Sequence, residues 1–204
     1  FEGFLKQGIP LVFYDRVPPE GTPAYIIKGD DYRGGLLAGN HLIAAGCRRI
    51  AYISGPPSSS IYRERTRGFQ DALAKQGTAL REEWVHQHEL TTENAWNSLR
   101  RLFDGEEVPD GLFAANDTTA IAAVEFARER GIRIPEDLRI IGYSNDPRTS
   151  IITPSITSIE QYPNEMADKV AETLLGALQH TTGVPISIGT PVVCPVDLVR
   201  RMTT

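Results

Sequence analysis

The sequence has 204 residues, a formal net charge of −5 at pH 7, 41% hydrophobic residues and 23% charged residues. These values are typical of a globular protein that is long enough to form one large domain or two small ones. The negative charge argues against nucleic-acid binding by this segment itself, since phosphate binding needs a basic surface.

Spanning and targeting segments are not evident. No apolar run approaches the roughly 20 residues of a membrane span, and the opening FEGFLKQGIP does not resemble a signal peptide. Cys47 and Cys194 are too few for a disulfide framework, so we expect reduced, buried thiols and a cytoplasmic protein. Because the chain starts without Met and inside a predicted helix, we expect it to be a fragment.

Strands and helices alternate through the first half of the chain. A short helix should end near Gly8, and the strand that follows should end at Asp15, before a loop rich in Pro and Gly. The apolar spacing then predicts a strand at 25–27, a helix from 30 or 31 to 46, a strand at 49–54, a helix at 62–76, a strand at 84–89 and a helix at 91–103.

The most regular stretch is a predicted βαβ unit in the middle of the chain. Residues 112–115 form an apolar run typical of a buried parallel strand, and Asn116 and Asp117 are both suitable N-caps for the next helix. Gly131 should end that helix, and residues 138–143 should form the second strand. In open α/β sheets, ligands bind beyond the carboxyl ends of such strands.

The remaining elements continue the α/β pattern. We expect a strand at 156–160, a helix that starts with Pro163 and reaches about residue 180, and one last strand between residues 191 and 198. The strict alternation of strands and helices between residues 30 and 143 indicates a parallel sheet that helices cover on both faces.

Polar side chains collect at the carboxyl ends of the predicted strands. Taken singly, each is explained as a cap or turn residue. Together they provide groups suited to a polyhydroxylated small molecule. Arg65 is the most informative, since its guanidinium can hold vicinal hydroxyls or an acid group, with a solvated helix-surface arginine as the alternative. The set consists of Asp15, residues 58–60 with Arg63 and Arg65, Glu89, Asn116 with Asp117, and Ser144 with Asn145.

Catalytic and metal-binding interpretations are weaker. Residues 142–146, GYSND, resemble the start of a hydrolase nucleophile elbow, but an aspartate replaces its closing glycine and Pro147 follows where its helix should begin. His86 and His88 have no third ligand at a recognisable spacing, so a surface pair is the better interpretation. We expect no enzyme activity, metal or cofactor; a hydrolase that uses Ser144 is the enzymatic alternative.

Six segments of the chain together form a specific pattern. They are GIPLVFYDR (8–16), HLIAAGCRRIAYISG (41–55), RTRGFQDAL (65–73), PDGLFAANDTTAIAAVEFARERGIRIPEDLRIIGY (109–143), PSITSIEQ (154–161) and VDLVRRMTT (196–204). In their order and spacing, these segments resemble the effector-binding region of the LacI/GalR family of bacterial transcription regulators. The resemblance extends over essentially the whole chain.

The resemblance implies a periplasmic-binding-protein-like type I fold, an α/β architecture of two Rossmann-like lobes with parallel sheets flanked by helices. A ligand cleft would lie between the lobes. Residues 1–27 and 159–189 would form an N-terminal lobe that is incomplete in this chain, and residues 28–158 and 190–204 would form the C-terminal lobe. The helix-turn-helix that reads DNA would precede Phe1.

The resemblance also assigns binding residues. Asp15 matches the cleft aspartate of the N-terminal lobe, Arg65 the arginine that pairs with ligand hydroxyls, and Asn116 the cleft asparagine. Leu90 stands where many members have an aromatic side chain that stacks on a sugar or base, so that only an apolar wall remains here.

Ser144 is the sharper departure from the family, because many members have an aspartate at this position that holds ligand hydroxyls. A neutral serine makes a weaker hydrogen bond, so the usual hexose geometry is not implied. Tyr62 and Asn145 are the candidates that would compensate.

Family members dimerise side by side, and the matching positions here are Ile121, Ile151 and Ile152. Ordinary core packing is the alternative for these three residues.

The predicted function is the effector-binding and dimerisation region of a LacI-type regulator. Its partners would be a sugar, sugar derivative or nucleoside-like effector, a second copy of the chain, and operator DNA bound through a domain absent here. A periplasmic sugar-binding protein of the same fold is the alternative.

Overall fold

The computed structural model describes residues 1–179 and 188–204. No helix within these ranges is long and apolar enough to cross a membrane. The helices are α1 (Glu2–Lys6), α2 (Asp31–Ala44), α3 (Ser60–Lys75), α4 (Thr92–Phe103), α5 (Asp117–Arg130), α6 (Arg148–Ile151) and α7 (Pro163–Leu178). The strands are β1 (Val12–Tyr14), β2 (Tyr25–Gly29), β3 (Ile50–Ser54), β4 (Val85–Gln87), β5 (Gly111–Ala114), β6 (Arg139–Tyr143), β7 (Thr157–Glu160), β8 (Pro191–Cys194) and β9 (Asp197–Val199).

The chain divides into two compact units. Unit 1 comprises Phe1–Asp30 and Gln161–Pro195, and unit 2 comprises Asp31–Glu160 and Val196–Thr204. The predicted lobes differ from these units mainly at the last crossing, since they assigned residues 190–204 to the C-terminal lobe. Strand β8 lies in unit 1 because it pairs with β2. The identity of the units with the two family lobes stays a prediction.

Unit 1 contains a three-stranded sheet in the order β1-β2-β8, and both strand pairs are parallel. Helix α7 begins with Pro163 in its first turn, as predicted, because the fixed φ angle of proline suits that position. The helix packs on β1 and β2, and Ile27, Met166 and Cys194 form the buried centre. The predicted extension of α7 to residue 180 falls outside the described residues.

Unit 2 is built on a six-stranded sheet in the order β4-β3-β5-β6-β7-β9. All strand pairs are parallel except β7 with β9, which confirms the predicted parallel sheet. The strand order reverses at β3, because the chain runs outward from β3 to β4 and then returns to β5 on the other side. In open α/β sheets, the ligand crevice lies outside the carboxyl ends of the strands at such a reversal.

Helices cover both faces of this sheet, because successive strand residues point to opposite faces. On one face, Ala51, Leu112 and Ile140 belong to the core cluster that includes the apolar side chains of α4 and α5. On the other face, Tyr52 and Phe113 belong to the cluster with α2 and α3, and their stacked rings lie 5.0 Å apart. Burial on both faces explains the nearly continuous apolar sequence of the strands.

The prediction of a single last strand between residues 191 and 198 is wrong. Two strands, β8 and β9, occupy this stretch and belong to different sheets. Pro195 separates them, and proline has no N–H with which to continue a strand ladder. The short helix α6 was not predicted either, and Pro147 is its N-cap.

Glycines let α2 and α3 approach each other closely. A Cβ atom at Gly35 would lie 2.1 Å from the main-chain oxygen of Arg65, and one at Gly68 would lie 1.9 Å from the main-chain oxygen of Tyr32. Neither oxygen can move aside without moving its helix. The spacing of the two helices therefore depends on the absence of side chains at these positions.

We predict that Gly68→Ala destabilises the chain. Overpacking costs about 1–3 kcal/mol. We expect a cost at the upper end of that range, because the new Cβ atom would meet a rigid main-chain oxygen. It therefore outweighs the roughly 1 kcal/mol gained in helix propensity. Urea unfolding followed by circular dichroism measures the loss.

Gly105→Ala is the matched control, because a Cβ atom there meets only the main-chain oxygen of Glu107 at 3.5 Å. Equal stability of the two variants would contradict the proposed packing constraint.

Candidate ligand-binding site

The carboxyl ends of the parallel strands bring most of the predicted binding residues to one edge of unit 2. They follow neighbouring strands of the same sheet, so they share that edge. Asp15 lies in unit 1, directly after β1, with a φ angle of 63°. The residues in unit 2 are Tyr62 and Arg65 on α3, Leu90 after β4, Asn116 after β5, and Ser144 with Asn145 after β6.

Arg65 is almost completely buried, with 3% of its surface exposed. Its Nε donates to Asp31 Oδ1 at 2.9 Å, and its Nη1 donates to the main-chain oxygen of Ala115 at 2.7 Å. The guanidinium carbon lies 3.5 Å from the ring centroid of Tyr143. The alternative of a solvated surface arginine is therefore wrong. The guanidinium lies where the strand order reverses, because Ala115 follows β5.

The electrostatics of this cluster keep the Arg65 guanidinium charged in the interior. Burial by itself lowers the pKa of Arg65, but Tyr143 and Asp31 raise it above its ordinary value. Burial also raises the pKa of Tyr143, so its hydroxyl stays protonated and donates to Asp31 Oδ1 at 3.3 Å. The sequence indicates residue 31 only as a possible start of helix α2, since nothing local to Asp31 signals a partner on α3.

Asn116 serves two structural purposes at the end of β5. Its Oδ1 accepts the Thr119 N–H at 2.9 Å, which confirms the predicted N-cap of α5. Its Nδ2 donates to the main-chain oxygen of Leu90 at 3.4 Å. The amide thus joins the segments after β4 and β5, and Leu90 itself is half-buried against the core. Gly131, in the left-handed conformation, ends α5 as predicted.

Tyr62 lies next to Arg65 on α3, and the guanidinium carbon is 5.7 Å from its ring centroid. The ring covers the main chain of Gly55 after β3, since a Cβ atom there would lie 2.1 Å from it. This half-buried aromatic side chain therefore stays close to the strand end. That Tyr62, together with Asn145, compensates for the missing aspartate at position 144 stays a prediction.

Ser144 and Asn145 both have positive φ angles, 106° and 50°. Ser144 is exposed at the end of β6. The Asn145 amide already donates to Glu160 and accepts from Arg201, each at 2.6 Å. Ser144 is thus accessible to a ligand, whereas Asn145 would have to exchange an existing hydrogen bond for one to a ligand.

The three predicted dimer residues differ in exposure. Ile151 is 82% exposed, whereas Ile121 and Ile152 are half-buried and pack against the core. Core packing therefore explains the buried parts of the Ile121 and Ile152 side chains, but it does not explain an apolar side chain at position 151. Among the described residues, no group of three His, Cys, Asp or Glu side chains is arranged to hold a metal ion.

Comparison with known proteins identifies the family. Residues 40–204 match the family described as "Periplasmic binding protein-like domain". The HTH-type transcriptional repressor PurR of Haemophilus influenzae (strain PittEE) is 31% identical over 172 residues, 84% of this chain and 51% of that protein. The HTH-type transcriptional regulator DegA of Bacillus subtilis (strain 168) is 32% identical over 208 residues, 100% of this chain and 58% of that protein. The chain spans about half the length of these curated relatives.

Solved structures agree with this result. The transcriptional regulator CelR–cellobiose complex is 30% identical, with a TM-score of 0.86 over 98% of this chain and 61% of that one. A LacI family transcriptional regulator from Enterococcus faecium with bound ribose is also 30% identical, with a TM-score of 0.85 over 100% of this chain and 73% of that one. Both the fold and the family predicted from the sequence are confirmed. The chain belongs to the periplasmic binding protein-like domain family and, within it, to the LacI family of transcriptional regulators.

Proposed function

We propose that this chain is the effector-binding domain of a LacI-family regulator and has no catalytic activity. A small carbohydrate-like molecule binds at the carboxyl edge of the sheet in unit 2 and shifts the population of conformations that permit DNA binding by another region of a cytoplasmic parent protein. The proposed contacts in unit 2 are Arg65, Asn116, Ser144, Tyr62 and Leu90, with Asn145 as a further contact. The assignment of Asp15 stays a sequence-based prediction.

The observation that carries this proposal is the placement of Arg65. Asp31 and Ala115 accept two of its N–H groups, and a guanidinium has five in a planar fork. The Tyr143 side chain shares a further hydrogen bond with the guanidinium, and the N–H groups that are left suit a ligand hydroxyl oxygen. Because the guanidinium is already held by an ion pair and a stacked ring, little conformational entropy is lost when a ligand binds.

The surrounding groups favour a carbohydrate. Asn116 supplies an amide and Ser144 an exposed hydroxyl, while Tyr62 and Leu90 supply apolar surface. Sugars have hydroxyl groups at their edges and apolar C–H faces. The polar groups of Asn116 and Ser144 suit the hydroxyls, and the apolar surface of Tyr62 and Leu90 suits the C–H faces. Two relatives at 30% identity are described with bound cellobiose and ribose, which supports the same class for this chain. A nucleoside-like effector is the second possibility within the class of small molecules.

The alternatives have less support. A periplasmic sugar-binding protein would have the same fold, but the matched relatives are named as transcriptional regulators. A hydrolase would need a base beside Ser144. In residues 1–179 and 188–204, His41 hydrogen-bonds to Thr204, His86 to the Glu83 backbone, and His88 to Glu89 and Ser98, so none of these bonds goes to this serine.

Asn116→Ser tests the site. Serine is a good N-cap, so α5 remains capped while the amide is lost. In a thermal-shift panel of pentoses, hexoses, disaccharides, sugar acids and nucleosides, at least one compound should raise the melting temperature. Its affinity should fall about tenfold in Asn116→Ser, as expected for one lost polar contact. Arg65→Ala is a less clear test, since it leaves the buried Asp31 carboxylate without the guanidinium.

Asn97→Ser is the control, because it makes the same change at an exposed position on α4. A panel with no stabilising compound would contradict the proposed function. Equal affinities of the two variants would contradict the assigned site.

We also propose that the chain forms a homodimer through a surface centred on Ile151. Ile151 is 82% exposed, so burying it in an interface would stabilise the dimer more than burying the exposed parts of Ile121 and Ile152. Apolar burial stabilises by about 25 cal/mol per Å². Ile121 and Ile152 would contribute only their exposed parts.

Ile151→Asp should weaken dimerisation at least about tenfold, because one unpaired carboxylate would be buried in the interface. Analytical ultracentrifugation over a range of concentrations measures the change. Met202→Asp is the matched control, since Met202 is also an exposed apolar residue of unit 2, with 60% exposed. Unaltered association of Ile151→Asp, or an equal effect of both variants, would exclude this surface.

A further inference from the structure

A buried carboxylate lies beneath the turn that carries Ser144 and Asn145. Asp117, the first residue of α5, is 3% exposed. Its Oδ2 accepts the Asp146 N–H at 2.7 Å, and its Oδ1 accepts the Ser158 hydroxyl at 2.8 Å. The Ser158 oxygen in turn accepts the Asn145 N–H at 3.0 Å. Asp117 therefore holds two consecutive backbone amides, one directly and one through Ser158.

The Asp117 carboxylate lies very close to the backbone of β6, the strand before the turn. A Cβ atom at Gly142 would lie 2.0 Å from Asp117 Oδ1 and 3.1 Å from Ala120 Cβ. Any side chain at position 142 would displace either the carboxylate or β6. The contact between α5 and the end of β6 thus requires glycine on one side and a short acidic side chain on the other.

The turn needs such support. Ser144 and Asn145 have φ angles of 106° and 50°, in a region that residues other than glycine seldom adopt. From one side, Asp117 and Ser158 hold the backbone. From the other side, hydrogen bonds to Glu160 and to Arg201 hold the Asn145 amide. The exposed Ser144 side chain depends on both for its direction.

We propose that Asp117 is a positioning residue of the ligand site: its carboxylate holds the backbone amides of Asn145 and Asp146 and thereby directs the preceding residue, Ser144, towards the bound molecule. This inference rests on the proposed function, and it adds to the site a residue that does not touch the ligand.

The surroundings of Asp117 make this positioning depend on pH. Burial raises the pKa of Asp117 to about 6, against the hydrogen bonds from the Asp146 backbone, the Ser158 hydroxyl and the Tyr143 backbone. The Asp146 carboxylate raises the pKa further, although Arg148 pairs with that carboxylate at 2.8 Å. When Asp117 binds a proton, the acceptor of the Asp146 N–H loses its negative charge, and this hydrogen bond weakens. The Ser158 hydroxyl can accept as well as donate, so its bond to Asp117 reverses direction.

Protonation of Asp117 should loosen the turn without unfolding the chain. Because its pKa is about 6 in the folded chain and 3.8 ordinarily, the folded state binds more protons between these values. The contribution of this group to stability therefore rises as the pH falls through that window. Asp137 behaves oppositely: its hydrogen bonds to Arg133 lower its pKa to about 2, so its contribution is lost only below its ordinary pKa of 3.8.

The test is a ¹⁵N–¹H NMR titration of the chain without ligand, from about pH 7.5 to about pH 5, around the expected midpoint. The Asp146 amide should shift with a midpoint near pH 6, and below it its protection against exchange should fall once the rate is corrected for the slower intrinsic exchange at lower pH. In Asp117→Asn, the Asp146 and Ser144 amides should differ from wild type at neutral pH and show no titration. In Ser158→Ala, the midpoint should rise, because the carboxylate loses a donor.

Asp137→Asn is the control and should leave the Asp146 midpoint unchanged. A pH-independent Asp146 amide, or wild-type shifts in Asp117→Asn, would overturn the proposal. If Asp117→Asn does not fold, an unmoved midpoint in Ser158→Ala would overturn it. Ribose and cellobiose serve as binding probes, and whichever binds should do so about tenfold more weakly to Asp117→Asn. If neither sugar binds the wild-type chain, that result contradicts the proposed function. The NMR titration still tests the role of Asp117, because it contains no sugar.

Discussion

The buried ion pair between Arg65 and Asp31 connects the helices of unit 2 to its sheet at the point where the strand order reverses. Asp31 begins α2 and Arg65 lies on α3, while the same guanidinium donates to Ala115 after β5 and stacks on Tyr143 at the end of β6. Breaking a buried pair by removing one partner costs about 3–5 kcal/mol. The ends of two helices and two strands are therefore held in one arrangement.

Close helix packing makes this ion pair possible. Gly35 lies against the Arg65 backbone, and a Cβ atom at Gly34 would lie 2.3 Å from the Tyr143 hydroxyl. With larger side chains at these positions, α2 could not bring Asp31 within reach of the guanidinium. The residues that pack the core thus also shape the edge at which we propose a ligand, so stability and binding depend on the same contacts.

Features with local causes could be predicted from the sequence. Asn116 caps α5 because its side chain reaches the N–H three residues later, and Gly131 ends the helix because it adopts the left-handed conformation. The strand ends carrying Leu90 and Ser144 also follow from apolar periodicity. The division of the last strand could not be predicted in the same way, because β8 and β9 are separated by their partners β2 and β7 in two different sheets.

The sequence by itself therefore determined the family, the parallel α/β sheet and the edge where the polar side chains collect, because motifs, caps and periodicity are local properties of the chain. Only the tertiary structure decided how those side chains are used. Arg65 is paired in the interior with a residue 34 positions earlier, the Asn145 amide is held by Glu160 and Arg201, and Asp117 is buried beneath a turn 29 positions later. Each of these depends on contacts between residues distant in the chain, which periodicity does not encode.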